Sequence, residues 1–421
     1  MGAPLVLFDA VIFDLDGTLV ATERFWVAAA LRGAERAFAE LGLSRALPSP
    51  EEWLSMVGLP LELGFARVFA DLQPAQRARI QARCVEEEHA ALDAGGAAPM
   101  PGAFELLGEL RTRGVRVGIA SNCSQAYLDS MLTRLGAREG GEALGAFVDE
   151  ARCLDSARVR NKADMVRDLV QRFGSRAAVM VGDRATDAEA AHANALPHVH
   201  LASGLAPRGE SVTCEATVHA LNEVLGLLGG RARWIADVLA RAPGRTLGVT
   251  GRPAAGKSIF ARDVARVAGA AGRTARVVAL DGFLRAAPNN SAAPDDHLER
   301  AFDLEQFEAV VLGPRRRGEA TGAGPWGPAA AADELLIVQG LFLADPRLRP
   351  NFERLIHLSA PDELLLRRSA ARDSSGAELV RLRRDFLPAH AAFELRHPPQ
   401  RCADLVLDVE NSLGPPDARQ P

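Results

Sequence analysis

The chain of 421 residues carries a formal net charge of −5, and 48% of its residues are hydrophobic and 24% charged. That length predicts two or three domains, and the composition is typical of a globular protein rather than a disordered or collagen-like one. The negative balance gives no sign of a general affinity for polyanions. Aromatic residues make up only 5% of the chain, so stacking platforms for nucleic-acid bases are scarce.

The N-terminal sequence and the cysteines bear on the cellular compartment. The first apolar run has no basic region in front of it and is interrupted by acids, so it does not predict a signal peptide. The five cysteines are scattered without paired spacing, which favours a reducing cytoplasm and argues against a zinc site. The longest apolar run, near 335–344, is too short to span a bilayer. We therefore expect a cytoplasmic protein without membrane contact, and no pattern predicts its oligomeric state.

Lysine is unusually scarce in this sequence. Of the 49 basic residues only Lys162 and Lys257 are lysines, and the other 47 are arginines. Arginine can replace lysine on almost any solvated surface, but not where a compact ammonium on a thin stem is needed. Each of the two lysines is therefore a candidate functional residue.

Short apolar runs alternate with amphipathic helical stretches, which predicts α/β units built on parallel sheets. The predicted strands are 10–15, 115–120, 178–182, 246–250, 276–280 and 335–339. Between the first two strands the pattern is helical only, for example over 25–41 and 62–88. This predicts an insertion of helices over about 20–98.

The strands fall into two sets, which predicts two domains. The first covers residues 1–227 and the second 244–412, with a linker helix over 228–243 and a flexible tail over 413–421. The predicted fold class is therefore α/β, with two Rossmann-like parallel-sheet domains.

Two aspartates, Asp14 and Asp16, follow the first predicted strand in the run AVIFDLDGTLVATE. Alternation places both carboxylates on the same side of the chain, and ligands of open α/β sheets bind at the carboxyl ends of strands. Two carboxylates at such a place can divide the work between a nucleophile or metal ligand and an acid/base. Taken alone, a polar turn after a strand explains the same pattern.

Three later motifs follow in chain order: Ser121 after the strand VRVGIAS, then Lys162, then Asp183 and Asp187 in VGDRATD. Together with the two aspartates they resemble the haloacid dehalogenase superfamily over residues 1–227. The resemblance implies an α/β core with a small helical cap at 20–98, and Mg²⁺-dependent hydrolysis of a small phosphate monoester through an aspartyl-phosphate. It further implies a nucleophile at Asp14, an acid/base at Asp16, phosphate binding by Thr18, Ser121 and Asn122, charge neutralisation by Lys162, and Mg²⁺ ligands at Asp14, Asp16, Asp183 and Asp187.

A second motif lies in the run TLGVTGRPAAGKSIFARDVARVAG. Gly251, Gly256, Lys257 and Ser258 have the spacing G-x-x-x-x-G-K-[ST] between a predicted strand and a predicted helix. In that setting backbone N–H groups wrap a β-phosphate, the lysine reaches the β- and γ-phosphates, and the serine holds Mg²⁺. The motif predicts ATP bound with Mg²⁺, and a glycine-rich turn without a ligand is the alternative.

The second domain resembles the P-loop kinases of small metabolites related to uridine kinase, pantothenate kinase and phosphoribulokinase. The resemblance rests on the P-loop and on Asp281, which follows the next strand. It implies that Asp281 takes the proton from an acceptor hydroxyl and that Arg381 and Arg384 clamp the phosphates of ATP. Gln339 departs from the pattern, because these kinases carry an acid there and a neutral amide orders Mg²⁺-bound water less well.

Together these motifs predict a bifunctional enzyme, a phosphatase of small phosphate esters joined to an ATP-dependent kinase of small metabolites. The expected partners are phosphorylated metabolites and ATP. Gln339 keeps open an alternative in which the second domain senses ATP without catalysis. Healing of nucleic-acid ends is a further alternative, which the net charge, the few aromatic residues and the cap disfavour.

Overall fold

The computed structural model describes residues 7–137, 141–175, 177–204, 206–207, 209–241, 244–285, 301–372, 376–409 and 418–419. These residues form two compact units. One is Phe8–Leu227, and the other takes in Leu7 and the chain from Leu228 onward.

The strands of the first unit are β1 (Ala10–Phe13), β2 (Arg116–Ala120), β3 (Glu150–Arg152), β4 (Ala178–Gly182), β5 (His198–Leu201) and β6 (Ala216–Val218). They form one parallel sheet in the order β3-β2-β1-β4-β5-β6. Its helices are α1 (Glu23–Leu41), α2 (Pro50–Leu54), α3 (Leu61–Val68), α4 (Pro74–Asp93), α5 (Ala103–Thr112), α6 (Gln125–Arg134), α7 (Lys162–Phe173) and α8 (Ala185–Ala193).

Helix α9 (Leu221–Arg241) continues from the first unit into the second. The strands of the second unit are β7 (Thr246–Gly251), β8 (Ala275–Ala279), β9 (Leu335–Gln339), β10 (Arg354–Ser359), β11 (Leu405–Asp408) and β12 (Ala418–Arg419). Their order is β12-β11-β10-β7-β9-β8, and only β12 runs antiparallel to its neighbour. The helices are α10 (Lys257–Ala270), α11 (Leu304–Phe307), α12 (Gly313–Arg316), α13 (Asp362–Arg372), α14 (Ala377–Arg381), α15 (Leu387–Arg396) and α16 (Pro399–Cys402), with π-helical turns at Glu308–Leu312 and Leu382–Phe386.

The predicted fold class, two parallel-sheet α/β domains, is confirmed. The central strands β1 and β4 are buried along their whole length, which is why their sequences are continuous apolar runs instead of alternating ones. The helical insertion after β1 consists of α1 to α4 and has its own core around the fully buried Trp53. Gly33 lies where α1 passes α4, and a Cβ there would come within 2.5 Å of the Cys84 Cα.

The helical pattern over 62–88 is not one helix. Helix α3 ends at Val68 and α4 begins at Pro74, because proline is tolerated in the first turn of a helix and not in its interior. The linker helix predicted over 228–243 corresponds to the later part of α9, and 242–243 lie outside the described residues. In the predicted tail only Ala418–Arg419 are described, and they pair with β11. No described helix is long and apolar enough to cross a membrane.

Candidate active site

The predicted catalytic residues of the first unit lie at one edge of its sheet. In the parallel register Phe13 is opposite Ile119 of β2 and Val181 of β4. The residues that follow these strands, Asp14, Ser121 and Asp183, therefore emerge at the same edge. The chain turns sharply after Asp16 at Gly17, whose φ is 80°. A Cβ at Gly17 would lie 2.5 Å from an Asp183 carboxylate oxygen, so only glycine leaves room for that carboxylate.

The Lys162 side chain links two of the carboxylates at this edge, those of Asp14 and Asp187. Lys162 is the first residue of α7, after an N-cap at Asn161. Its Nζ donates to Asp14 Oδ1 and to Asp187 Oδ1, each at 2.7 Å, and the side chain is 4% exposed. Burial alone would lower the pKa of Lys162, but the two carboxylates raise it above its ordinary value, so the ammonium stays charged.

Three carboxylates meet around that single ammonium. One oxygen each of Asp14, Asp183 and Asp187 lies within 4.8 Å of the others, and all three residues are buried. Oδ2 of Asp14 and Oδ2 of Asp183 are buried without a hydrogen-bond partner. Burial, and then the charge of Asp187, raise the pKa of Asp14 to about 7. The cluster is short of positive charge and has unsatisfied hard oxygen atoms, which fits Mg²⁺.

Asp16 faces different partners. Its Oδ1 accepts hydrogen bonds from the Thr22 hydroxyl at 2.7 Å and from the Tyr127 hydroxyl at 2.6 Å. Burial raises the pKa of Asp16 above its ordinary value, against these two hydrogen bonds, which lower it. A raised pKa makes it easier for a carboxyl to carry the proton that a general acid donates. The predicted role of Asp16 as a metal ligand stays a prediction.

Sequence reasoning missed both hydrogen-bond donors to Asp16. Thr22 lies in the turn before α1, and Tyr127 lies on α6, 111 residues from Asp16 in the chain. Tyr127 is the single tyrosine of a chain with 17 phenylalanines. The single tyrosine could have been recognised in the sequence as a candidate site residue, because phenylalanine fills space equally well and only tyrosine offers a hydroxyl group.

The three residues predicted to bind phosphate have different surroundings. Ser121 lines a cavity beside Asp16. Asn122 donates its side-chain amide to the Gly58 carbonyl at 2.9 Å, and the Thr18 hydroxyl donates to Asp183 Oδ1 at 3.3 Å. In this structure Asn122 holds the loop before α3 and Thr18 supports the acidic cluster, so phosphate binding by these two stays a prediction.

The second unit brings most of its predicted residues around one pocket of about 690 Å³. Its lining includes Gly256, Lys257, Ser258, Asp281, Gln339 and Arg381. Gly251 ends β7 with a φ of 143°, and Gly256 precedes α10 with a φ of 88°, conformations that glycine adopts without strain. Lys257 Nζ donates to the Arg252 carbonyl at 2.8 Å.

Arg384, which was predicted to clamp the phosphates of ATP, and Gln339, which departs from the kinase pattern, have the following surroundings. Arg384 pairs with its neighbour Asp385 at 2.7 Å and is not among the lining residues of the pocket. Gln339 lies opposite Val249 of β7 and Ala279 of β8. Its Oε1 is buried without a hydrogen-bond partner, so a carbonyl oxygen is available there but no charge.

Comparison with known proteins gives consistent matches for the first part of the chain. Residues 8–194 match the family model of the haloacid dehalogenase-like hydrolases. A phosphoglycolate phosphatase of Rhodospirillum rubrum is 31% identical over 211 residues, which is 46% of this chain and 80% of that protein. A phosphoglycolate phosphatase of Caulobacter vibrioides is 30% identical over 220 residues, or 51% of this chain and 88% of that protein. The crystal structure of a predicted phosphoglycolate phosphatase from Haemophilus somnus matches with a TM-score of 0.46 at 18% identity, covering 53% of this chain and 99% of that one.

Proposed function

The chain belongs to the haloacid dehalogenase-like hydrolase family, and on that basis we propose that its first unit hydrolyses small phosphate monoesters through an aspartyl-phosphate on Asp14. The observation that carries the proposal is the position of Lys162 between Asp14 and Asp187, beside carboxylate oxygens that have no partner. A dianionic phosphate can enter such a site only if positive charge balances the carboxylates.

The arrangement supports a two-step reaction. An Asp14 oxygen attacks phosphorus and the bond from phosphorus to the ester oxygen breaks, while Asp16 gives its proton to the departing alcohol. Asp16 then takes a proton from water, which attacks the same phosphorus and frees phosphate and the Asp14 carboxylate. Throughout, Lys162 offsets the charge on Asp14 and on the transferred group. Mg²⁺ held by Asp14, Asp183 and Asp187 would add the positive charge that the three carboxylates lack.

Removal of the metal tests this proposal directly. We expect the purified chain to release phosphate from p-nitrophenyl phosphate in Mg²⁺, to lose that activity after chelation with EDTA, and to regain it when Mg²⁺ is added back. The names of the two bacterial relatives make 2-phosphoglycolate the first natural ester of the substrate panel. Phosphate release that is unchanged after chelation would contradict the proposed chemistry.

For the second unit we propose ATP binding at the pocket around Lys257 and transfer of the γ-phosphoryl group to a hydroxyl of a small metabolite. The observation that favours this is the convergence of Lys257, Ser258 and Asp281 on one pocket at the N-terminus of α10. Backbone N–H groups at a helix N-terminus favour phosphate, and a carboxylate facing them can accept a hydroxyl proton. Non-catalytic sensing of ATP is the competing proposal, which the uncharged Gln339 motivates.

Replacement of the P-loop lysine tests the ATP site. Titration with Mg·ATP is expected to raise the melting temperature of the wild-type chain, and Lys257→Ala is expected to weaken ATP binding at least ~100-fold, because it removes the cation that spans the phosphates. Arg262→Ala, at an exposed position of the same helix, is the matched control. If ATP binds but no member of a hydroxyl-acceptor panel is phosphorylated, the sensing proposal is preferred. Phosphorylation that is lost in Asp281→Asn excludes it.

A further inference from the structure

The cavity beside Asp16 has an unusual balance of charge. It has a volume of about 70 Å³ and lies next to Asp16 and Ser121, where the alcohol part of a phosphate ester would extend from the phosphate site. Apolar side chains of the helical insertion, among them Trp26 and Met56, form much of its wall. Its lining residues all belong to the described chain, and they include Glu88 as a second acid but no arginine or lysine.

Glu88 is a buried acid in the wall of this cavity that the proposed phosphatase chemistry does not use. It lies on α4, is 8% exposed, and faces the cavity. Among the described residues no hydrogen bond or ion pair satisfies its carboxyl group. Burial, and then the charge of Asp16, raise the pKa of Glu88 to about 8. A carboxyl that faces a cavity in this way can exchange hydrogen bonds with a ligand without first breaking a contact within the protein.

Two cations that lie close to lining residues, Arg184 beside Gly58 and Lys162 near Asp16, are already engaged. Arg184 donates its Nε to Glu210 at 3.0 Å and a guanidinium N–H to the Val57 carbonyl. Lys162 is held between Asp14 and Asp187. The histidine of the lining, His89, is exposed to solvent, so its interaction with a ligand is screened.

A substrate carboxylate in this cavity would therefore lose its hydration against apolar walls and find no arginine or lysine in the lining to balance its charge. A hydroxyl group suits the same place, since it donates to an ionised Glu88 and accepts from a protonated one. An ammonium group could be held only by an ionised Glu88, a form that burial disfavours. Resting on the proposed phosphatase activity, we propose that the alcohol part of the substrate is uncharged and presents a hydroxyl to Glu88, and that esters with a carboxylate at that position are discriminated against.

Two matched pairs of phosphate esters test the effect of a carboxylate in the alcohol part of the substrate. 2-Hydroxyethyl phosphate differs from 2-phosphoglycolate, and glycerol 3-phosphate from 3-phosphoglycerate, by a hydroxymethyl group in place of a carboxylate. We expect kcat/KM to favour the hydroxyl member of each pair by at least ~10-fold, because a carboxylate that leaves water for a cavity without a cation loses solvation that no counter-charge replaces. Equal values, or a preference for the carboxylates, would overturn the inference. So would a kcat/KM for O-phosphoethanolamine at or above that for 2-hydroxyethyl phosphate.

The contribution of Glu88 is measured with Glu88→Gln, which keeps the shape and removes the acid. We expect the ratio of kcat/KM within each pair to fall at least ~3-fold in this variant and to stay unchanged in Glu86→Gln, an exposed position of the same helix. A ratio unchanged in Glu88→Gln would refute the assignment of this residue. If the variant does not fold, the wild-type ratios alone decide the substrate class.

Turnover of p-nitrophenyl phosphate separates this inference from the proposed function. An enzyme without Mg²⁺-dependent activity on that ester fails as a phosphatase. An enzyme that hydrolyses p-nitrophenyl phosphate but none of the matched esters retains the proposed function and overturns the inference on the substrate.

Discussion

Asp14→Asn is expected to lower kcat for phosphate release at least ~10³-fold while the chain stays folded. The amide is nearly the same shape as the carboxylate, and its oxygen can still accept the hydrogen bond that Lys162 donates to Asp14 Oδ1. An amide, however, has no carboxylate oxygen to attack phosphorus. The loss should therefore appear in kcat, with little change in melting temperature.

The measurement is steady-state phosphate release together with intact-protein mass spectrometry of samples quenched in acid. The wild-type chain should show a mass increase of one phosphoryl group during turnover, and Asp14→Asn should show none. Asp129→Asn makes the same chemical change at an exposed position on α6 and should behave as wild type in both measurements. A variant at Asp14 that keeps a tenth or more of the wild-type kcat would rule out this residue as the nucleophile.

The central strands could be predicted from the sequence because a strand that is buried on both faces is a continuous run of apolar residues. β1, β4, β7 and β9 are buried throughout, and each appears in the sequence as an apolar run. Strands nearer the edges carry a weaker pattern. β3 consists of Glu150, Ala151 and Arg152, all half-buried, so it could be identified only from its pairing with β2.

The residues of the candidate site also divide into those that the sequence could place and those that it could not. Asp14, Ser121 and Asp183 could be predicted to meet because the carboxyl ends of parallel strands lie at one edge whatever the loops do. Lys162 was predictable from the scarcity of lysine and from the family resemblance. Tyr127 and Glu88 lie on helices, and their positions depend on how α6 and α4 pack. No local pattern encodes that packing, so these contacts emerged only from the three-dimensional arrangement.

Lys162→Met is expected to impair both folding stability and activity. The variant would leave the carboxylates of Asp14 and Asp187 buried together without their ammonium, and breaking a buried ion pair by removing one partner costs about 3–5 kcal/mol of unfolding free energy. Because Lys162 lowers the pKa of Asp14, its loss raises that pKa above the present value of about 7. Asp14 would then be protonated at neutral pH, and kcat should fall at least ~10³-fold.

The pH and metal dependence of this variant identify the cause of its defect. A carboxyl whose pKa is raised in the folded state costs stability as the pH rises, so the deficit against wild type should grow as the pH rises above about 7 and shrink below it, where Asp14 takes up a proton in both proteins. Mg²⁺ supplies positive charge to the same carboxylates, so saturating Mg²⁺ should recover part of the lost melting temperature. Arg160→Met removes an exposed cation two positions away and should show neither effect. A deficit that is independent of pH and of Mg²⁺ would mean that Lys162 acts by packing alone, and that the balance of charge around Asp14 is set by other groups.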